Sequence, residues 1–218
     1  MKNKKIIFLL IAIILIILIL IIFFIKKDYK TMNSGNNKIN KTAEGITEYI
    51  LNMSSFEANV EVTVYSNKNE NKYVLKQSFV APNIAKQEVL EPSNIQNMTI
   101  IFDGNNLKIE NTKLSLTTIY ENYKYISENS LFLNYFIEDY KNSNEAKVEE
   151  KDNQIIMQTK CKNEDNKYTA YKKLYIDKNT AKPLKLEVQD INQSTTVYIL
   201  YNEIKINSTK SEDILAYN

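Results

Sequence analysis

Arginine, histidine and tryptophan are absent from this sequence, and cysteine occurs once, as Cys161. Without histidine, and with a single thiol, neither a zinc site built from His and Cys clusters nor a Ser–His or Cys–His nucleophile pair can be assembled. All 28 basic residues are therefore lysine, set against 26 acidic ones for a net charge of +2. The lysines are scattered, and a polyanion site would normally recruit bidentate guanidinium groups, so nucleic acid is not an expected partner. Only three glycines occur, none of them clustered, which excludes a phosphate-cradling loop. No cofactor, metal or catalytic residue is assigned. Cys161 has no partner for an internal disulfide and ends the strand-like run Ile155–Cys161, where a buried free thiol packing as a small hydrophobe is expected.

What is present begins with an unbroken apolar run of 20 residues, Ile6 to Ile25. At helical rise this run is about 30 Å long, the thickness of a bilayer's hydrocarbon core. It has no polar face, it exceeds the apolar core of a cleaved signal peptide, and Phe23-Phe24-Ile25-Lys26-Lys27 stands where a small-residue cleavage site would be needed. Residues 6–25 are thus expected to be an uncleaved transmembrane anchor, with residues 1–5 as a short cytoplasmic tail. Lys2, Lys4, Lys5 and the amino terminus before the run slightly outweigh Lys26, Lys27 and Lys30 with Asp28 after it. The expected product is a single-pass membrane protein whose C-terminal domain is extracytoplasmic. Residues 26–38 are polar and aperiodic, and read as a flexible tether.

From residue 39 to 208 the chain reads as one domain. Ile39, Ala43, Ile46 and Ile50 share one helical face, with Thr42 as cap and Glu48 and Tyr49 outward. The period then changes to two: Phe56, Ala58, Val60, Val62 and Val64 alternate with polar residues, as a half-buried antiparallel strand requires. Further strands are expected at Tyr73–Val80, Ile84–Leu90, Met98–Phe102, Asn106–Glu110, Ile155–Cys161, Tyr168–Ile176, Leu184–Val188 and Thr195–Ile206. A second amphipathic helix is expected from Asn129 to Lys141, and Asp103-Gly104-Asn105 is the strongest hairpin turn. That gives nine or ten strands with two helical insertions. Short turns join the strands, so the fold class is mainly β (α+β), a curved antiparallel sheet wrapping around helices. Residues 209–218 form a C-terminal tail.

Several segments carry a resemblance. Tyr175-Ile176-Asp177-Lys178-Asn179-Thr180-Ala181-Lys182-Pro183-Leu184 has the pattern strand, D-x-x-T-x-x-P turn, strand, and Val197 to Asn207 is a strand ending in asparagine. Earlier, Phe79-Val80-Ala81-Pro82 precedes Ile100-Ile101-Phe102-Asp103-Gly104. In this order the chain resembles the LolA/LolB-like fold, an incomplete antiparallel β-barrel closing over helices, and within it the GerS-type spore germination proteins. The resemblance implies a non-enzymatic module of the cell envelope that docks on a protein partner, a cortex-modifying amidase. It also implies two alternatives: a lipid or lipoprotein binder using the half-barrel cavity, or an envelope sensor regulating a membrane partner. GerS-type proteins are usually lipoproteins, whereas here no cysteine stands just after the apolar run and none occurs before Cys161.

For a cavity, the candidate lining is Val60, Val62, Leu75, Phe79, Ile100, Phe102, Leu174, Leu186, Val197 and Ile199; a filled core uses the same residues. For a protein partner, the candidate surface is Tyr120, Tyr123 and Tyr125, read as a loop before the second helix, since aromatic residues anchor interfaces. The carboxylate pairs Glu138–Asp139 and Glu149–Glu150 diverge from one another in helix or strand, and are read as solvated charge.

Overall fold

The computed structural model describes residues 39–66, 68–123, 131–162 and 166–215. Anchor and tether lie outside them; among the described residues no helix is long and apolar enough to cross a membrane.

The first helix, α1 (Ala43–Leu51), starts where the sequence places a cap: Thr42 Oγ1 accepts from the Gly45 amide at 3.1 Å. Ile46 and Ile50 are fully buried and Ile39 and Ala43 pack beside them. Glu48 is exposed as expected, but Tyr49 is half-buried against the core. Six strands follow as a meander: β1 (Ser55–Tyr65), β2 (Glu70–Val80), β3 (Ile84–Glu91), β4 (Met98–Phe102), β5 (Leu107–Asn111) and β6 (Leu116–Tyr120). The chain then crosses through α2 (Leu133–Asn142) to a second meander: β7 (Lys147–Lys151), β8 (Gln154–Lys160), β9 (Tyr171–Asp177), β10 (Pro183–Gln189) and β11 (Thr195–Ile206). A final helix, α3 (Ser211–Leu215), lies within the C-terminal tail and buries Ile214.

All eleven strands join one antiparallel sheet in the order β6-β5-β4-β3-β2-β1-β11-β10-β9-β8-β7. The first and last strands of the domain pair at its centre, Val62 opposite Ile199, so the two meanders fan outward from that seam. One face of the sheet carries Phe56, Val60, Ile155, Met157, Leu174, Ile176, Leu186 and Ile199, all fully buried in one cluster with Ile46 and Ile50 of α1 and Leu133 and Phe136 of α2. That is the expected architecture, a large curved sheet over helices. The strand count is corrected upward: β6 and β7 were not expected, and Tyr120 closes β6 rather than lying in a loop.

The segments that carried the family resemblance all prove to be fold locks. Asp177 Oδ1 accepts from both the amide and the hydroxyl of Thr180, at 2.7 and 2.8 Å, and these bonds hold its carboxyl below the usual carboxylate range. Asp103 Oδ1 takes the amides of Asn105 and Asn106 at 2.8 and 2.7 Å, and is likewise lowered by the Asn106 amide first. Asn83 Nδ2 donates to the Gly104 carbonyl at 3.2 Å, tying the β2–β3 turn to the β4–β5 turn. Asn207 ends β11 in the left-handed region (φ 57°) and its Oδ1 accepts from the amide and hydroxyl of Ser54. A short amide side chain tolerates that conformation better than most residues, which accounts for asparagine there.

Candidate functional site

Of the ten proposed lining residues, nine are buried members of the one apolar cluster that also contains residues of α1 and α2. Ile100 stands apart: it is only half-buried and outside that cluster, although it shares a face with Phe102. The helices are fastened down as well as packed. At one end of α2, the Leu131 carbonyl accepts from Gln77 Nε2 at 3.1 Å, and Gln77 also donates to Gln87 Oε1 at 3.1 Å.

At the other end, Asp139 Oδ2 accepts from Lys172 Nζ at 2.8 Å, with side chains 13% and 4% exposed. Asp139 Oδ1 takes the Lys162 amide at 3.1 Å, and the Asp139 carbonyl takes the Thr159 hydroxyl at 3.3 Å. Solvated charge is therefore the correct reading of Glu138 but not of Asp139. Neighbouring helical residues diverge, and here one points to water while the other turns inward onto β8 and β9. Burial raises the Glu138 carboxyl, with the Asp139 charge adding to it. Cys161, buried as expected, has its thiol pushed up to about 11 by burial first, partly offset by Lys172, with Asp139 adding to the rise. A thiol so raised is a poor nucleophile. A polar cleft of about 240 Å³ opens beside it, between Asn142–Glu145 and Lys160–Lys162. Its lining mixes both signs of charge, Lys160 facing Glu145 at 3.8 Å, and so selects no ligand class.

The outstanding surface feature is at one end of the sheet. Strand β6 is exposed along its whole length, and Leu116, Ile119 and Tyr120 are 61%, 58% and 49% accessible, with Leu114 beside them at 61%. From Leu114 to Tyr120 the chain carries no charge. The register places Tyr120 in line with Leu107 and Phe102, and Leu116 in line with Asn111 and Met98, on the side that elsewhere faces the helices. Tyr123 connects this edge to the core, its ring 6.3 Å from that of Tyr120 and 6.4 Å from that of Phe102. The structure thus brings Tyr120 and Tyr123 together, with Tyr123 half-buried; Tyr125 lies outside the described residues. Sequence reasoning missed Leu114, Leu116 and Ile119. The usable signal was an uncharged, β-prone stretch bounded by Asn111-Thr112-Lys113 and Glu121-Asn122.

The opposite edge is built differently. Strand β7 is Lys-Val-Glu-Glu-Lys, equally exposed but charged at every position except Val148, and Glu150 pairs with Lys178. Charged side chains are a common means of keeping a free sheet edge from pairing.

Comparison with known proteins then places the chain. Residues 5–215 match the family model described as sporulation protein YdcC-like. The chain belongs to the YdcC-like sporulation protein family. Among solved structures, this family member is similar to a chain in the complex of the CwlD amidase with the GerS lipoprotein from Clostridioides difficile. That match has 26% identity over 79% of this chain and 98% of that one, with a TM-score of 0.48. An uncharacterised conserved protein from Thermus thermophilus matches at 11% identity, covering 81% of this chain and 92% of that one, with a TM-score of 0.51. A LolA superfamily protein from Nitrosomonas europaea matches at 13% identity, 80% and 98% coverage and a TM-score of 0.43. A comparison with curated proteins returns no match. The LolA-like and GerS-like resemblance read from the sequence agrees with these findings.

Proposed function

We propose that this YdcC-like protein is a non-enzymatic docking module of the sporulating cell envelope, tethered by residues 6–25 with its β domain outside the cytoplasm. Its partner is a protein, and the resemblance to GerS makes a cortex amidase of the CwlD type the first candidate. The observation that carries this reading is the contrast between an uncharged strand edge with exposed Leu116, Ile119 and Tyr120 and a sheet face whose apolar residues are buried in one cluster with those of α1 and α2. Large apolar side chains clustered in solvent are characteristic of interaction sites rather than of free surface. The fastening of α2 at both ends favours docking over lipid carriage, because a carrier must part its helices from the sheet to admit an acyl chain.

Co-expression of the full chain with the host's CwlD-type amidase, followed by solubilisation and affinity purification on the amidase, tests the proposal. A stable complex that survives gel filtration supports it. An amidase that elutes alone, fully active without this chain, would oppose it.

A further inference from the structure

An antiparallel sheet that ends in solvent presents one row of unpaired backbone amides and carbonyls at each free edge, and each row is a template for another strand. In this protein the two edges are treated oppositely: β7 is charged at four of its five positions, whereas β6, Leu-Thr-Thr-Ile-Tyr, has none. The difference extends to the faces. On the helix-facing side three rows run out to β6 and stop there: Phe102–Leu107–Tyr120, Ile100–Ile109–Thr118 and Met98–Asn111–Leu116. Ile100 and Ile109 are half-buried and lie outside the helix-covered core, so the apolar surface continues past the point where α1 and α2 cover it. The free length is defined at both ends. Ser115 (φ 52°) and Asn122 (φ 51°) adopt left-handed conformations that interrupt extended pairing, and among the described residues no strand pairs with the outer edge of Leu116–Tyr120.

We infer that β6 is a strand-addition site, which receives an extended, uncharged segment of the partner protein with apolar side chains at alternate positions. The inference rests on the docking reading above and specifies its mode. Main-chain hydrogen bonds to β6 supply the attachment, and alternate side chains of the incoming segment continue the rows that end at Leu116, Thr118 and Tyr120. Charge decides the chemistry of the occupant: β6 itself offers no counter-charge between Leu114 and Tyr120, and the nearest charges behind it, Lys108 and Glu110 of β5, already pair with each other. A second copy of this chain would bring its own β6 fixed at the end of a large eleven-stranded sheet. A segment from a different protein is not held to the curvature of a second large sheet, and can lean over the lip formed by Ile109 and Tyr120.

The test uses the full chain in lipid nanodiscs and a fluorescein-labelled peptide, acetyl-Thr-Val-Thr-Tyr-Thr-Val-Thr-amide, read by anisotropy. Saturable binding is expected, weakened at least tenfold by the double substitution L116K/I119K and unchanged by V148K on the opposite edge. The same peptide N-methylated at alternate amides should also bind at least tenfold more weakly, since it keeps its side chains but cannot pair. Both lysine substitutions fall on exposed positions, and an unaltered thermal melt verifies that the fold is retained. Any of four results overturns the inference: no binding, equal binding of the N-methylated peptide, indifference to L116K/I119K, or a full-chain dimer that L116K/I119K dissolves. Repeating the amidase co-purification with L116K/I119K separates the two ideas. Retention of the amidase leaves docking intact and removes β6 as its site. Peptide binding at β6 without any amidase complex keeps the strand-addition site and removes that partner.

Discussion

Replacing Asp139 with alanine strands the Lys172 ammonium, 4% exposed, beneath α2, since among the described residues Asp139 is its one carboxylate neighbour at hydrogen-bond distance. Removing one member of a buried pair typically costs about 3–5 kcal/mol, because the other charge stays desolvated and uncompensated. For a domain of this size that corresponds to a fall in Tm of about 6–20 °C. K172M is the milder change. Asp139 is more accessible, at 13%, and keeps the Lys162 amide, so about 1–3 kcal/mol is expected. The double variant D139L/K172M removes both charges and keeps apolar volume, and should recover most of the loss. Urea titration of the full chain in nanodiscs, followed by near-ultraviolet circular dichroism of the tyrosines, compares the three variants with wild type. A cost below about 1 kcal/mol for D139A, the value typical of exposed pairs, would refute the reasoning. It would mean that α2 is not clamped to β8 and β9, and would reopen the half-barrel to a lipid.

Three further outcomes follow from local geometry. Asp177→Ala should lower Tm at neutral pH, and the gap to wild type should close as pH falls through the lowered folded pKa of Asp177. A depressed carboxylate stabilises the fold above its unfolded pKa and loses that contribution once protonated, so thermal melts across the acid range check the sign. Gly45→Ala should destabilise although alanine is the better helix former, because the new Cβ would come within 2.5 Å of the Asn40 carbonyl oxygen; a lower Tm in calorimetry is the expected result. Cys161, with its thiol pushed up to about 11, should react slowly with an aromatic disulfide reagent at pH 8 in the native chain and quickly in urea, a ratio that a stopped-flow absorbance trace measures.

The parts of the fold that were legible in the sequence are those where one face is buried and the other wet. The alternation of Phe56 to Val64 locates β1, the Thr42 cap and the Ile46–Ile50 spacing locate α1, and the final strand has the expected bounds, Thr195–Ile206. Strands β6 and β7 left no such trace. Both are exposed along their length and paired with a single neighbouring strand, so no burial pattern was imposed on their side chains. The exposed edge that defines the candidate site was therefore hidden for the same physical reason that makes it available. Tyr120 was recognised as a surface aromatic, but its place on an open strand was not. The Asp139–Lys172 clamp was invisible because its partners are 33 residues apart and belong to different elements. The motifs that signalled the family, at Asp177, Asp103 and Asn207, turn out to hold turns, which is why they disclosed the fold and left the binding site unmarked.

The most direct test is hydrogen–deuterium exchange of the full chain in nanodiscs, with and without the CwlD-type amidase. Strand addition at β6 predicts new protection confined to peptides spanning Leu116–Tyr120, with β7 and the helices α1 and α2 exchanging as before. Protection that leaves β6 untouched, or a loosening of α1 and α2 as the partner binds, would contradict docking at this edge.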